Sequence, residues 1–255
     1  MPKQPQAAFE SVFAFSPNRA TLGGTSYLIL GNGAEGASRS GESKHVGDGV
    51  VGDPSADSGG ADSGGADPGG GNCLVDCPPW DGTTQEFLSR HGGVRWFVIT
   101  HRDAIASLKV VREIQEIFHC QVIIQEQEAY LLPGLELTTF HRDRAIADDL
   151  DVIWTPGYSP GSSCVYLNRH GGILFSGRHL LPTPSGELRP QRQSKTFHWP
   201  RQQRSCELLR SRFTADTLQH CCPGANVGFL RGKKSIANVY PSLVQAIAPA
   251  SAPQG

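Results

Sequence analysis

His101 and Asp103 follow the apolar run in VRWFVITHRDAIASLKVVREIQ, which covers residues 94–115. The β-branched and aromatic residues before Thr100 predict a buried strand, and the residues after Asp103 change to a helical pattern. His101 therefore stands at the carboxyl end of a strand, where α/β sheets hold their reactive side chains. An imidazole in that position is suited to metal binding, and the first question is whether His101 still does chemistry.

The elements before and after this run can be outlined from the pattern. The segments TSYLILG and NCLVDCPPW, the second of which contains Asp76, predict two strands paired as a hairpin. Thr83 to Glu86 form a capping-box pattern, which predicts a helix that ends at Arg90. The apolar stripe from about Ala106 to His119 predicts a second helix.

The second half of the chain repeats this organisation. QVIIQEQ and LELTTF predict strands, and residues 151–181 predict three more strands joined by tight turns. Helices are predicted over 200–213 and 215–220, and a last one, interrupted at Pro241, over 233–247. Two strand-rich halves that are each followed by helices indicate an α/β fold with a four-layer αββα sandwich, in one domain of residues 1–250.

A Gly/Asp/Ser-rich segment at about 33–71 interrupts the predicted hairpin. It contains the tandem sequences ADSGG, ADSGG and ADPGG and almost no apolar residues. Such a segment buries too little surface to offset the entropy of ordering it, so we expect a disordered insertion.

Composition excludes several classes of protein. The formal net charge is -1, without the dense basic footprint of a nucleic-acid binder. No segment has the roughly 18 consecutive apolar residues that span a membrane, and the amino terminus lacks the apolar core of a secretion signal. The seven cysteines include no CxxC pair, which predicts reduced thiols. We therefore expect a cytoplasmic protein, or one in another reducing compartment, with no membrane or nucleic-acid partner.

The order of five motifs resembles the metallo-β-lactamase superfamily across nearly the whole chain outside the insertion. These motifs are LVDCPPW, ITHRDA, TPGYSPGSSCVY, LFSGRHLL and HCCPGANVG. Members of that superfamily carry a T-H-x-H-x-D-H loop, a T-P-G-H-S-P-G-S turn, an F-x-G-D segment and a late histidine. The resemblance implies an αββα sandwich and hydrolysis by metal-activated water.

The same resemblance implies that this chain is a divergent branch with a degenerate metal-binding motif. His101 keeps the first ligand position. The other ligand-equivalent positions hold Asp103, Ile105, Ala106, Tyr158, Arg178 and Ala225. At most one zinc or iron ion then remains conceivable, held by His101, Asp103 and Tyr158. Because Arg178 brings a permanent cation to the place of a metal ligand, we expect no cofactor.

Two interpretations of the altered loop remain open. In the structural one, Arg178 replaces the metal ion and pairs with Asp76 or Asp103. In the functional one, a partly open pocket lined by His101, Tyr158, Arg178 and His179 binds a small anion. His198, in the segment KTFHWPR, adds a candidate basic and aromatic edge for a ligand.

Two functions follow from these interpretations. The first is a non-catalytic module that binds a small anionic ligand or a protein partner. The alternative is a metal-dependent hydrolase of thioester, lactone or phosphoester substrates with an atypical mononuclear site.

Overall fold

The computed structural model describes residues 3–32 and 71–247, and the strands in these ranges form two large sheets and one small one. In the first sheet the strand order follows the chain from β1 to β7. These strands are Gln6–Phe9, Val12–Ala14, Tyr27–Ile29, Cys73–Val75, Trp96–Ile99, Gln121–Gln125 and Leu137–Phe140. Strands β1 to β4 pair with one another in antiparallel orientation, and β4 to β7 run parallel.

The second sheet has the order β15-β14-β11-β10-β9-β8. These strands are β8 Asp143–Ala147, β9 Leu150–Trp154, β10 Ser163–Leu167, β11 Ile173–Phe175, β14 His220–Cys222 and β15 Ile236–Ala237. Between β11 and β14 the chain forms the small hairpin of β12 Leu181–Pro182 and β13 Leu188–Arg189.

The described α-helices lie on the outer faces of the two sheets. They are α1 Gly82–Arg90, α2 Leu108–Phe118, α3 Trp199–Arg212 and α4 Val239–Ile247. Helix α1 begins differently from the sequence prediction, because the carboxylate of Asp81 and not the Thr83 capping box accepts the hydrogen bond from Thr84 N. Ser107 caps α2, which buries Val111 and Ile114.

Three apolar clusters account for the layers. One contains side chains from both large sheets, such as Val98 and Val165, and fills the space between them. A second packs the other face of the first sheet against α1 and α2. The third packs the second sheet against α3 and α4, for example through Leu174 and Leu209. The fold is therefore the αββα sandwich that the sequence predicted.

The hairpin around the Gly/Asp/Ser-rich segment is confirmed. Strands β3 and β4 are antiparallel, with Ile29 opposite Cys73. Gly31 N donates a hydrogen bond to Asn72 Oδ1, which joins the two ends beyond the strands. The predicted disorder of the insertion concerns residues that lie outside the described ranges, apart from Gly71.

The last part of the chain differs from the sequence prediction. Residues 215–220 are not a helix, because the backbone N–H groups of Gln219 and His220 bond to the carbonyl of Gly172 and lead into β14, parallel to β11. The final helix is shorter than predicted, since α4 begins at Val239 and the preceding residues form β15. No described helix is long and apolar enough to cross a membrane.

Candidate functional site

The candidate residues converge because several strand ends meet at one edge of the sandwich. Asp76 follows β4, and Thr100 and His101 follow β5, which is parallel to β4. The second sheet joins this edge through Ser163 at the start of β10, whose N–H donates a 2.8 Å hydrogen bond to Thr100 O. The edge therefore brings together side chains that are distant in sequence.

Asp76 binds the residue before the histidine and not the histidine itself. Its carboxylate accepts hydrogen bonds from Thr100 N at 2.8 Å and from Thr100 Oγ1 at 2.8 and 2.9 Å. Asp76 has a φ of +64°, a conformation that aspartate tolerates better than most residues. Thr100 Oγ1 lies 2.9 Å from His101 Nδ1, so the three side chains form one chain of hydrogen bonds.

This chain assigns the tautomer of His101. The Thr100 hydroxyl has a single proton, which goes to the Asp76 carboxylate when that group is ionised, so Thr100 Oγ1 must accept from His101 Nδ1–H. His101 Nε2 then carries a lone pair. That nitrogen is buried and has no hydrogen-bond partner among the described residues.

Tyr158 and Arg178 lie against His101. The His101 ring is edge-on to the Tyr158 ring, with centroids 5.2 Å apart, and the Arg178 guanidinium carbon lies 5.8 Å from the Tyr158 centroid. Such a contact is a weak cation–π interaction. His101, Tyr158 and Arg178 are 3, 1 and 8% exposed, so they form a closed packed group and not the partly open pocket that the sequence suggested.

Asp103 is held by two donors. Tyr158 Oη donates to Asp103 Oδ2 at 2.5 Å, and Lys195 Nζ lies 3.0 Å from Asp103 Oδ1. Arg102 also contacts Lys195, because its guanidinium donates a 2.9 Å hydrogen bond to the backbone carbonyl of Lys195. The segment before α3 is thereby fastened to the loop after β5.

Arg178 does not pair with a carboxylate as the structural interpretation expected. Its Nη2 donates instead to the backbone carbonyls of Thr21 and Leu22, at 3.1 and 2.8 Å. Leu22 has a φ of +55°, which turns this short loop toward the guanidinium. Arg178 thus connects the loop after β2 to the site, and its Nε has no partner in the described part of the chain.

His179 and His198 lie outside this packed group. His179 is buried on the helical side of the second sheet, where its Nε2 lies 3.4 Å from Cys206 Sγ of α3. His198 is the exposed N-cap of α3, and its Nδ1 accepts from Arg201 N. Phe197 N and His198 N also donate to the carbonyls of Tyr158 and Gly157. His198 therefore positions the TPGYSPGSS turn through the backbone.

The remaining altered positions serve packing. Ile105 and Ala106 pack against the cluster that covers α1 and α2, and Ala225 is buried. Gly224, next to Ala225, lies so close to Gly177 that an added Cβ would meet Gly177 O at 2.6 Å. Apolar side chains and closely packed backbone therefore fill this edge of the site.

Burial and the guanidinium shape the charges. Burial, followed by Arg178, lowers the pKa of His101 to about 3, so the imidazole is neutral. Burial raises the pKa of Asp76 to about 6, against the opposing effect of the Thr100 hydrogen bonds. Burial alone would raise the pKa of Asp103, but the hydrogen bonds from Tyr158 and Lys195 outweigh it and lower that pKa.

The residues present do not fit a metal ion. Of the three candidate ligands, His101 has a free nitrogen, while Asp103 is occupied by Tyr158 and Lys195. Burial and the bond to Asp103 raise the pKa of Tyr158, which disfavours a ligating phenolate. Within residues 3–32 and 71–247, no group of three or more His, Cys, Asp or Glu side chains is placed to hold a metal.

Two contacts at this edge were missed by the sequence analysis. Lys195 was assigned to a ligand edge around His198, and its salt bridge to Asp103 joins segments 92 residues apart. The carbonyls of Thr21 and Leu22 have no side-chain signature, since every residue carries a carbonyl. The one indication in the sequence is Arg178 itself. An arginine that follows a buried strand needs hydrogen-bond acceptors, although the sequence does not say which ones.

Comparison with solved structures identifies the architecture. A metallo-beta-lactamase family protein from Thermus thermophilus has a TM-score of 0.56 and 16% identity, and the match covers 95% of this chain and 80% of that one. A metallo-beta-lactamase from Staphylococcus aureus subsp. aureus COL has a TM-score of 0.58 and 14% identity, covering 96% and 64%. The BLEG-1 B3 metallo-beta-lactamase has a TM-score of 0.55 and 13% identity, covering 90% and 95%. No protein-family model and no curated protein sequence matches the chain. These likenesses, at low sequence identity and over nearly the whole chain, establish that this protein has the metallo-β-lactamase fold.

Proposed function

We propose that this protein is a non-catalytic ligand- or partner-binding module built on the metallo-β-lactamase fold, with most ligand positions of the ordinary metal site replaced. The observation that carries the proposal is that the polar side chains at this edge form hydrogen bonds and ion pairs with one another. Tyr158 and Lys195 hold the carboxylate of Asp103, and the cation of Arg178 lies over the same tyrosine ring. A metal ion bound to Asp103 would have to displace Tyr158 and Lys195, and it would lie near the permanent positive charge of Arg178.

The partner that we propose is a small anion or an acidic surface of another protein. Lys195 supports this, because half of its side chain remains exposed although it contacts Asp103. The neighbouring ring of Phe197 is 53% exposed, which offers apolar area next to the ammonium group. We also propose a reducing compartment, since all seven cysteines lie in the described ranges and are free, buried thiols.

The alternative function is a hydrolase of thioester, lactone or phosphoester bonds that uses one zinc or iron ion. The observation in its favour is His101 Nε2, a buried imidazole nitrogen that the hydrogen-bond network leaves with a lone pair and no partner among the described residues. Asp103 and Tyr158 would both have to leave their present contacts to join it.

Metal content and activity separate the two proposals. The full chain is purified without chelators, and its zinc, iron and manganese are measured by plasma mass spectrometry. We expect far less than one equivalent of metal, no rise in melting temperature with added zinc, and no hydrolysis of a thioester, a lactone or a phosphodiester.

The matched variants are His101→Ala and, as a control at an exposed histidine, His141→Gln. One equivalent of metal, together with hydrolysis that His101→Ala abolishes and His141→Gln retains, would overturn the non-catalytic proposal and support the alternative. Stoichiometric metal without hydrolysis would refute only the proposed loss of the metal site.

A further inference from the structure

A second candidate binding site lies beside the edge strand β15, and it shares no residue with the group around His101. It is a cavity of about 670 Å³ between the β12–β13 turn, the start of β14 and the segment from Phe229 to Ala237. Cavities that hold small organic ligands commonly measure about 300 to 1,000 Å³. The volume therefore suits a molecule of that size.

The charge of the lining has one sign. Arg231 and Lys233 line the cavity, and no aspartate or glutamate of the described residues does. In the described part of the chain neither cation forms an ion pair or a side-chain hydrogen bond. Ser185 and Ser235 add hydroxyl groups to the same wall. This set of donors favours an anion.

The other part of the lining is apolar. The ring of Phe229 is 43% exposed although Leu230, its neighbour, is buried. Ile236 and Pro184 extend the apolar wall. An exposed aromatic ring beside unpaired cations suits a ligand that has a charged end and a ring or hydrocarbon end.

Local backbone geometry holds Arg231 in this place. A short 3-10 helix covers Val227–Leu230, and Arg231 ends it with a φ of +50° while its N–H bonds to Gly228 O. Residues other than glycine and asparagine seldom adopt the left-handed region, so this conformation of Arg231 is strained. Gly232, which follows at a φ of +95°, is suited to such backbone, whereas arginine is not.

We propose that this cavity binds a small organic anion, with its phosphate or carboxylate at Arg231 and Lys233 and its ring or chain against Phe229. This site is independent of the function proposed for the His101 edge. We expect tight binding only for a ligand that has both an anionic group and an apolar group. The two cations alone, or the exposed ring alone, offer too few contacts to hold a molecule.

The experiment is a calorimetric titration of the full chain with four probes. They are phenyl phosphate, benzoate, inorganic phosphate and phenol. We expect phenyl phosphate or benzoate to bind with a Kd at or below about 1 mM, and inorganic phosphate and phenol to bind at least about tenfold more weakly. The stronger of the two organic anions distinguishes a phosphate from a carboxylate ligand.

The variants locate the site. Arg231→Gln combined with Lys233→Gln removes two exposed cations, and Phe229→Ala removes the ring. Each is expected to weaken binding at least about tenfold, whereas Arg112→Gln, at an exposed position on α2, leaves it unchanged. Circular dichroism of each variant establishes that it is folded.

Two results would overturn this proposal. One is that no probe produces heat in the calorimeter, or shifts the NMR signals of the backbone amides of residues 229–237, up to about 10 mM. Even weak ligands bind at that concentration. The other is binding that the double variant retains at full strength, since the ligand then occupies another place. Neither result bears on the metal content or hydrolysis measured for the His101 edge.

Discussion

The hydroxyl of Tyr158 donates a 2.5 Å hydrogen bond to Asp103 across 55 residues of sequence. It joins the turn after β9 to the loop after β5, and therefore the second sheet to the first. The carboxylate is only partly exposed, so water replaces this donor incompletely when it is lost.

Tyr158→Phe is expected to lower the free energy of unfolding by about 1 to 2 kcal/mol, because a hydrogen bond to a charged acceptor is removed while the ring is kept. Urea denaturation monitored by circular dichroism measures the change. Tyr130→Phe is the control, since the side chain of Tyr130 is highly exposed. Equal stabilities for Tyr158→Phe and the wild type would show that the contact contributes nothing to the fold.

Arg178→Met is expected to destabilise the protein by about 1 to 3 kcal/mol, because the carbonyls of Thr21 and Leu22 lose their donor. Arg178→Asp is expected to cost more, since it places a second carboxylate near Asp76. The same denaturation series measures both, with Arg112→Met as an exposed control. If Arg178→Met were as stable as the control, Arg178 would not be a structural bridge.

Arg178 also affects His101 through its charge. Removing the guanidinium takes away one of the causes that lower the pKa of His101, so Arg178→Met is expected to raise that pKa. Imidazole proton shifts followed by NMR from pH 7 to the acid limit of the folded state measure the effect. An unchanged pKa of His101 in the variant would show that the guanidinium of Arg178 has no measurable effect on this imidazole.

Acid sensitivity is expected from His179. Burial lowers its pKa from 6.5 to about 3, so the unfolded chain binds a proton below pH 6.5 that the folded chain does not. The contribution to stability is complete above pH 6.5 and is lost as the pH falls toward 3. Asp76 acts in the opposite direction, because its pKa is raised from 3.8 to about 6 and its contribution is lost as the pH rises through that value.

His179→Leu isolates the histidine from these other groups. Between pH 6 and 4, the stability of the wild type should fall more steeply than that of the variant, by about 1.4 kcal/mol per pH unit. Urea denaturation at several pH values measures the two slopes. Parallel slopes for His179→Leu and wild type would contradict a buried neutral imidazole.

Gly224→Ala is expected to destabilise the protein by about 3 kcal/mol or more, because the new Cβ would lie 2.7 Å from Gly177 Cα and 2.6 Å from Gly177 O. Gly82→Ala is the matched control, since it begins α1 and nothing lies within 4 Å of its Cβ position. Thermal denaturation compares the two variants. A small loss for Gly224→Ala would mean that the two backbones separate easily.

The sequence predicted the architecture because its signals are local and strong. The run before His101, the TPGYSPGSS turn and the apolar stripe of α2 each report a strand end, a turn or a helix face. The segment 215–220 was assigned wrongly, since its pairing with β11 is a long-range contact that the local pattern does not contain. Pairing with β11 therefore makes the end of that segment a strand, although its local pattern favours a helix.

Side-chain direction was harder to predict than residue position. Arg178 and His179 are neighbours in one tight turn, closed by the bond from His179 N to Ser176 O, and they point to different layers of the sandwich. Sequence placed both at the candidate site. The acceptors of Arg178 were unpredictable because they are backbone carbonyls of a loop more than 150 residues away.

The bridge from Arg178 to the loop at Thr21 and Leu22 also limits which single substitutions this edge of the sandwich tolerates. A sequence that exchanges Arg178 for an acidic ligand loses two backbone hydrogen bonds at once. The exchange of Arg178 therefore lowers stability unless a second substitution supplies a new donor to the carbonyls of Thr21 and Leu22.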